Sequence, residues 1–412
     1  MVDDTERTYD LVVFGATGFV GRLVAEHLAA HAPTAVRIAL AGRSRRRLAA
    51  VRAALGAAAD WPLIVVDATD AVAVREMAAD TRVVATTVGP YERSGMPLVA
   101  ACARAGTDYV DLTGEVLFVR DSADRHHTSA VASDARIVHS CGFDSVPSDL
   151  SVLLAAQAAQ RAGASGLTWA TLVLRSASGG VSGGTIDSLR GQFDEVRSDP
   201  ARRRITDDPY ALSPDRAAEA DLGRQPDVTG PRWDAHIGQW TGPFVMSAYN
   251  TRIVRRSNAL QDWAYGHRLR YREVVGFGRS WAGLLLAGGM TVGLATMMGA
   301  MQVGPLRELL QRVLPAPGEG PDARTRQQGH FRFELHACSD LGARSRVRFA
   351  AQGDPGYAAT AVMLGESALA LVTDRDALPD AAGVLTPATG IGLALVDRLR
   401  AAGVEIHVDG DV

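Results

Sequence analysis

Residues 11–21, LVVFGATGFVG, constrain this chain more than any other stretch. An apolar, β-favouring run stops at Gly15, glycines recur at three-residue steps as Gly15, Gly18 and Gly21, and the amphipathic run RLVAEHLAAHA follows. The pattern predicts a strand, a tight turn and a helix start. The first glycine permits the turn, the second lets backbone approach a pyrophosphate, and the third lets the helix pack on the strand. Phosphates would then meet N–H groups at the helix N-terminus, where the dipole favours their charge. Thr17 and Phe19, inside the turn, join the glycines as candidate cofactor contacts. The fold class expected is α/β, with an N-terminal Rossmann domain, a doubly wound parallel sheet, over residues 1–150.

Composition narrows the chemistry. The 412 residues are enough for two domains, and a formal net charge of −3 offers no general attraction to nucleic acid. No lysine occurs, so all 43 basic residues are arginine. Schiff-base, P-loop and lysine general-base chemistry are therefore excluded. Cys102, Cys141 and Cys338 are far apart and odd in number, and the histidines lack ligand spacing, so no disulfide framework or metal site is encoded. The acidic, polar start MVDDTERTYD has no signal-peptide pattern. A cytoplasmic setting is expected.

The order of elements then distributes the candidates. A second strand, Val36 to Leu40, ends in AGRS, where an NAD-specific fold carries an acid for the ribose hydroxyls. Here Gly42 and Arg43 stand there instead, with Ser44 next as a further candidate contact, and an arginine can pair with the 2′-phosphate of NADP. A third strand, WPLIVVDATD, brings Asp67 and Ala68 towards the adenine edge. A fourth, RVVATTVGPY, brings Thr87, Val88 and Gly89 to the nicotinamide side. Tyr91 follows, either a proton donor or substrate contact, or a packing residue. Asp111 and Glu115 either bind a polar group or cap backbone. The strand RIVHSCGFDSVPSD ends with Asp144 and Ser145 as polar candidates at the sheet's carboxyl edge, before a helix opened by Pro147.

The runs GATGFVG, AGRS, TTVGPYERSGMPLVAACARAGTDYVDLTGE and CGFDSVPSDL resemble the saccharopine-dehydrogenase-like superfamily. Within it the chain is most similar to the actinobacterial trans-acting enoyl reductases, a likeness extended by VSGGT (181–185), NTRIVRRSNALQDWAYG (250–266) and GVLTPA (383–388). The resemblance implies an NADPH-dependent reduction of an α,β-unsaturated acyl group in trans for a polyketide synthase in lipid biosynthesis, with the acyl group either free or bound to a carrier protein. Tyr91, Ser145, Asp144 and the backbone after Gly142 are then the candidates to stabilise the enolate or supply its proton. Two alternatives stay open: a saccharopine dehydrogenase-type enzyme acting on a carbon–nitrogen bond, against which the absence of lysine counts, and a cofactor-binding scaffold without turnover.

A substrate and dimerisation domain built on a mixed sheet is expected over residues 151–380. Residues 381–412 are expected as a helix and strand packing back on the core, and a homodimer is possible. Residues 281–303 are uncharged and long enough to span a bilayer. The strands on either side of them need one sheet, so the expectation is a buried or membrane-surface helical hairpin broken near Gly288-Gly289, peripheral at the inner face of the plasma membrane. The basic run RLRYR before it would favour anionic lipid or a docking surface.

Overall fold

The computed structural model describes residues 7–56, 58, 60–179, 199–302 and 320–410. VSGGT and the glycine-rich stretch beyond Gly179 lie outside the described residues.

Two compact units emerge. The first takes the chain up to Val146, a short stretch ending at Thr206, and Pro355–Gly403. Its sheet uses β1 (Tyr9–Phe14), β2 (Ile38–Gly42), β3 (Leu63–Val65), β4 (Thr81–Thr86), β5 (Asp108–Val110), β6 (Arg136–Val138) and β13 (Gly383–Leu385). The order is β13-β6-β5-β4-β1-β2-β3, and every pairing is parallel. Leu11, Val12 and Val13 on β1 have no exposed surface, as do Val83, Val84 and Ala85 on β4. Helices cover both faces of such a sheet, which is why these strands read as continuous apolar runs instead of alternating ones.

The chain returns to this unit at Pro355, earlier than the expected boundary at 381. The helix Thr360–Thr373 is apolar on nearly every side, and Met363, Leu364, Ala368 and Leu369 are fully buried. It packs on the helix Phe19–His31, where a Cβ at Gly365 would stand 2.6 Å from His27 Cδ2. His27 Nε2 lies 2.8 Å from Glu366 Oε1, and Arg398 bridges Glu366 and Asp374.

The second unit runs from Pro147, resumes with Asp207–Asp354 and ends with the strand after Val404. Its strands are β7 (Leu167–Ser178), β8 (Arg232–Asp234), β9 (Gln239–Pro243), β10 (Arg270–Gly276), β11 (His330–Ser339), β12 (Arg344–Gln352) and β14 (Glu405–Gly410). Their order is β14-β12-β11-β7-β10-β9-β8; β7 and β10 are parallel and the other pairs antiparallel, so the sheet is mixed as expected. One face carries Ala170, Leu172, Leu335, Val347 and Phe349, all buried. On the other, Arg175 Nε donates to Glu334 Oε2 at 2.7 Å, and the hydrogen bond with His336 and the Arg175 charge hold the Glu334 carboxyl down at about 2.

The helix Ser247–Leu260 explains the run NTRIVRRSN. Arg252, Arg255 and Arg256 are all buried, each with its guanidinium tied: to Asp227, to the Tyr271 carbonyl and to the Leu212 carbonyl. Asn250 Nδ2 and the Tyr271 hydroxyl donate to Glu273, a fully buried carboxyl that desolvation pushes up to about 8. Glu273 is therefore neutral near pH 7. The alternating pattern of YREVVG contains no hint of that state, which depends on what the helix lays over it.

The segment Trp281–Gln302 is one continuous helix and not a hairpin. Gly288 and Gly289 weaken a helix by about 1 kcal/mol each relative to alanine, but they keep their N–H groups and break nothing. It is also exposed along most of its length, contrary to the buried alternative.

Candidate functional site

The glycine turn is built as its spacing requires. Gly15 has φ +90°, a region open to glycine, and its carbonyl accepts the Gly18 N–H at 2.9 Å. A Cβ on Gly21 would stand 2.2 Å from that same carbonyl oxygen, so the helix Phe19–His31 sits on the turn with no space for a side chain. Gly18 is the exposed N-cap of this helix, and no side chain caps it. An exposed glycine at an uncapped helix start is a cradle fitted to a pyrophosphate. Thr87 closes the back of the turn: its N–H donates to Phe14 O at 2.9 Å and its hydroxyl to Gly15 O at 3.3 Å. Val88 is equally close, 2.9 Å from where a Gly15 Cβ would lie, and Gly89 follows exposed. Thr17 is half-buried next to Gly42, and Phe19 meets Tyr357 edge-on at 4.7 Å.

At the end of β2, Arg43 is exposed. Ser44 has a local duty, capping the helix Arg45–Ala54 through the Arg47 N–H at 3.4 Å. Asp67 is likewise committed: its Oδ1 accepts the Thr69 N–H and hydroxyl at 2.9 and 2.8 Å, which with the Arg43 charge lowers its pKa. Ala68 is buried behind it. Arg43 is the one of these four with a charge that can meet a 2′-phosphate. Arg43→Ala is therefore expected to weaken NADPH about tenfold to a hundredfold while leaving NADH nearly unchanged, the scale of one charge-assisted contact. Fluorescence titration with both nucleotides checks it, and equal losses for the two would remove Arg43 from the phosphate site.

The catalytic candidates separate clearly. Tyr91 does not act as a free donor: it is 5% exposed, its hydroxyl donates to Thr86 O at 3.1 Å and accepts the Leu112 N–H at 3.1 Å. Burial and the Asp111 charge also push its pKa well above the usual value. The packing role is the one the geometry supports. Glu115 takes the capping role, accepting the Tyr91 and Glu92 N–H groups at 3.2 and 2.7 Å. Ser145 has no exposed surface, and its N–H donates to Gly142 O at 3.2 Å. The backbone after Gly142 is mostly engaged too, since Phe143 N–H reaches the Thr360 hydroxyl at 3.2 Å and Val146 N–H reaches Gly142 O at 3.0 Å.

Asp144 differs from all of these. It is half-buried, and neither its N–H nor its carboxyl has a hydrogen-bond or ionic partner among the described residues. Desolvation pushes its carboxyl from 3.8 up to about 6. An acid so placed can hold and release a proton near neutral pH.

Its loop is held by a network that sequence reading only half found. Asp111, buried, accepts from the Tyr109 hydroxyl at 2.9 Å, from Ser140 N–H at 2.9 Å and from Thr113 N–H at 3.1 Å, and its Oδ2 lies 2.7 Å from His139 Nδ1. His139 Nε2 in turn lies 2.8 Å from the Ser122 hydroxyl. Ser122, His139 and Asp111 resemble a hydrolytic triad in order, but all three have no exposed surface, so the chain of bonds fixes the loop and reaches no substrate. His139 lies in the run RIVHSCGFD; only the fold reveals its partners. Thr360 was unmarked as well, because it comes 217 residues after the Phe143 it supports.

Comparison with known proteins agrees with this construction. Residues 11–139 match the family described as the saccharopine dehydrogenase NADP binding domain. Over 411 residues the chain is 52% identical to a protein of Mycobacterium tuberculosis named a putative trans-acting enoyl reductase, with 98% of each chain covered. It is 50% identical over 411 residues to a trans-acting enoyl reductase of Mycobacterium bovis, with 97% of each covered. Among solved structures, apo saccharopine dehydrogenase (L-Glu forming) from Saccharomyces cerevisiae aligns with a TM-score of 0.55 at 14% identity, covering 98% of this chain and 100% of that one, a likeness of fold. With identity at that level over nearly the whole of both chains and an NADP-binding domain in its first unit, the chain belongs to the trans-acting enoyl reductase family of the saccharopine-dehydrogenase-like superfamily.

Proposed function

We propose that this protein reduces the carbon–carbon double bond of an α,β-unsaturated acyl group with NADPH, serving in trans a polyketide synthase of lipid biosynthesis. The observation that carries this reading is the 52% identity, over 98% of the chain, to a protein named for that activity. The acyl group arrives as a thioester on the synthase's carrier protein, and the reaction belongs in the cytoplasm.

Bound NADPH supplies a hydride to the β carbon. The chain's own residues do the rest. The uncapped helix start at Gly18 and the exposed Arg43 would hold its phosphates, and Gly15, Thr87 and Val88, packed at the back of the turn, would lie beneath it. Charge then develops on the thioester oxygen, and the Asp144 N–H, which has no partner among the described residues, is a backbone donor that can meet it. The Asp144 carboxyl delivers the proton to the α carbon. With its pKa at about 6, roughly one molecule in ten carries that proton at pH 7, and re-protonation from water is fast.

The test is the loss of NADPH absorbance on adding crotonyl thioesters of N-acetylcysteamine and of a carrier protein. Turnover with product reduced at the double bond supports the reading. Tight NADPH binding with no turnover on any enoyl thioester overturns it in favour of a non-catalytic scaffold. Turnover only with an amino acid and a keto acid overturns it in favour of carbon–nitrogen chemistry.

A further inference from the structure

The helix Trp281–Gln302 leaves a large apolar surface uncovered in the second unit. From Val274 through Gln302 the only charged side chain is Arg279. At about 1.5 Å per residue the helix is roughly 33 Å long. A single stripe packs inwards. Gly283 lies so close to Phe277 that a Cβ would stand 2.3 Å from its carbonyl oxygen, and Ala287 is fully buried beside Gly242 of β9.

Most of the rest is exposed and apolar. Trp281 is 75% exposed, Leu285 62%, Leu286 62% and Val292 65%. Thr291 and Thr296 carry the hydroxyls of this run, and both donate back into the helix, to Ala287 O and Val292 O at 2.8 Å. Residues 281–300 therefore offer water almost no polar contact and contain no polar face. Trp233, 44% exposed and edge-on to Trp240 at 5.5 Å, adds a second aromatic on the sheet face where Gly242 meets the helix.

We propose that this helix lies along the surface of a lipid bilayer, with its exposed apolar side sunk into one leaflet, and seats the enzyme there, with anionic headgroups meeting Arg279. Strands β10, before the helix, and β11, after it, both pair with β7, which keeps the helix in the membrane plane. Its hydroxyls need no outside partner, and tryptophan and an exposed arginine stand together at one end, where headgroups would meet them. Arg279 is the only charged residue between 274 and 302, and its sign complements an anionic leaflet. A second copy of the chain explains less. A pair of helices would cover the stripe of Trp281, Leu285 and Val292, but Leu286 lies about a third of a turn away and would stay exposed.

Co-sedimentation with vesicles of phosphatidylcholine, alone or mixed equally with phosphatidylglycerol, tests this on the full chain. The parent protein is expected in the vesicle pellet, more so with phosphatidylglycerol. A Leu285→Glu, Val292→Glu double variant is expected to bind about tenfold or more weakly, and Arg279→Glu to lose the preference for the anionic vesicles. All three positions are exposed, so unfolding temperature and NADPH binding should not move and serve as the folding control. Parent protein left in the supernatant, double-variant binding equal to the parent, or no dependence on phosphatidylglycerol overturns the proposal. Light scattering that finds a parent dimer and a monomeric double variant, without vesicle binding, gives the helix to a second copy of the chain.

Discussion

An Asp144→Asn protein is expected to bind NADPH normally, to lose enoyl reduction about a hundredfold to ten-thousandfold in kcat, and to be more stable than its parent at alkaline pH. The two effects have one cause. The carboxyl has no partner among the described residues, and desolvation moves its pKa from 3.8 to about 6. The folded-state value is above the unfolded one, so the parent has its full stability below about pH 4 and loses it as pH rises through about 6. The size of that loss is about 3 kcal/mol, from the shift of roughly two units. Asparagine never ionises and escapes the loss. Its advantage in denaturant unfolding should be near nil at about pH 4 and nearly complete at about pH 8. Activity lost without the alkaline gain would mean that the site is wetter than its burial suggests. The gain without loss of activity would show that the proton comes from elsewhere.

Gly21→Ala should abolish nucleotide binding and cost about 3 kcal/mol of stability, more than any other single methyl added to the turn. The new Cβ would lie 2.2 Å from the Gly15 carbonyl oxygen and 2.8 Å from its carbonyl carbon, with Thr87 Oγ1 at 2.9 Å. The two nearest of these atoms are backbone, so no rotamer change relieves the clash. The helix must lift off the turn, and its uncapped N-terminus, the proposed phosphate cradle, moves with it. Gly18→Ala is the control, because its nearest neighbour is the same oxygen at 3.2 Å, a contact a small shift can absorb. Urea unfolding should therefore rank Gly18→Ala well above Gly21→Ala in stability, while titration with NADPH should show weaker binding in both, because a methyl on exposed Gly18 would stand where the pyrophosphate approaches. Equal stability of the two variants would mean that the turn adapts and that its packing does not depend on the glycine spacing.

Local sterics made the nucleotide half of this protein legible before any coordinates. Three glycines at fixed steps, an apolar strand before them and an amphipathic helix after them determine a turn on their own, because each restraint acts within a few residues. The same holds for Arg43 at the end of β2, and the absence of lysine removes whole classes of mechanism by composition alone. Strand lengths were less legible. The run WPLIVVDATD yields only Leu63–Val65 as strand, since a strand lasts only as long as its neighbour pairs with it.

What tertiary structure alone decided is which polar residues remain available. Tyr91 and Asp144 are equally plausible as acids in the sequence; they part only because Thr86 and Leu112 engage the tyrosine hydroxyl while no described residue hydrogen-bonds or ion-pairs with the Asp144 carboxyl. The Glu273 carboxyl is pushed up to about 8 because folding buries it completely, against the opposing hydrogen bonds from Asn250 and Tyr271, and the helix Thr360–Thr373 belongs to the first unit because the helix Phe19–His31 offers it a matching face. The exposure of the Trp281–Gln302 helix is of the same kind: composition shows that it is apolar, and only packing shows that most of its surface is left uncovered. Turn geometry and periodicity are properties of neighbours along the chain. Desolvation and hydrogen-bond partnership are set by residues that meet only after folding.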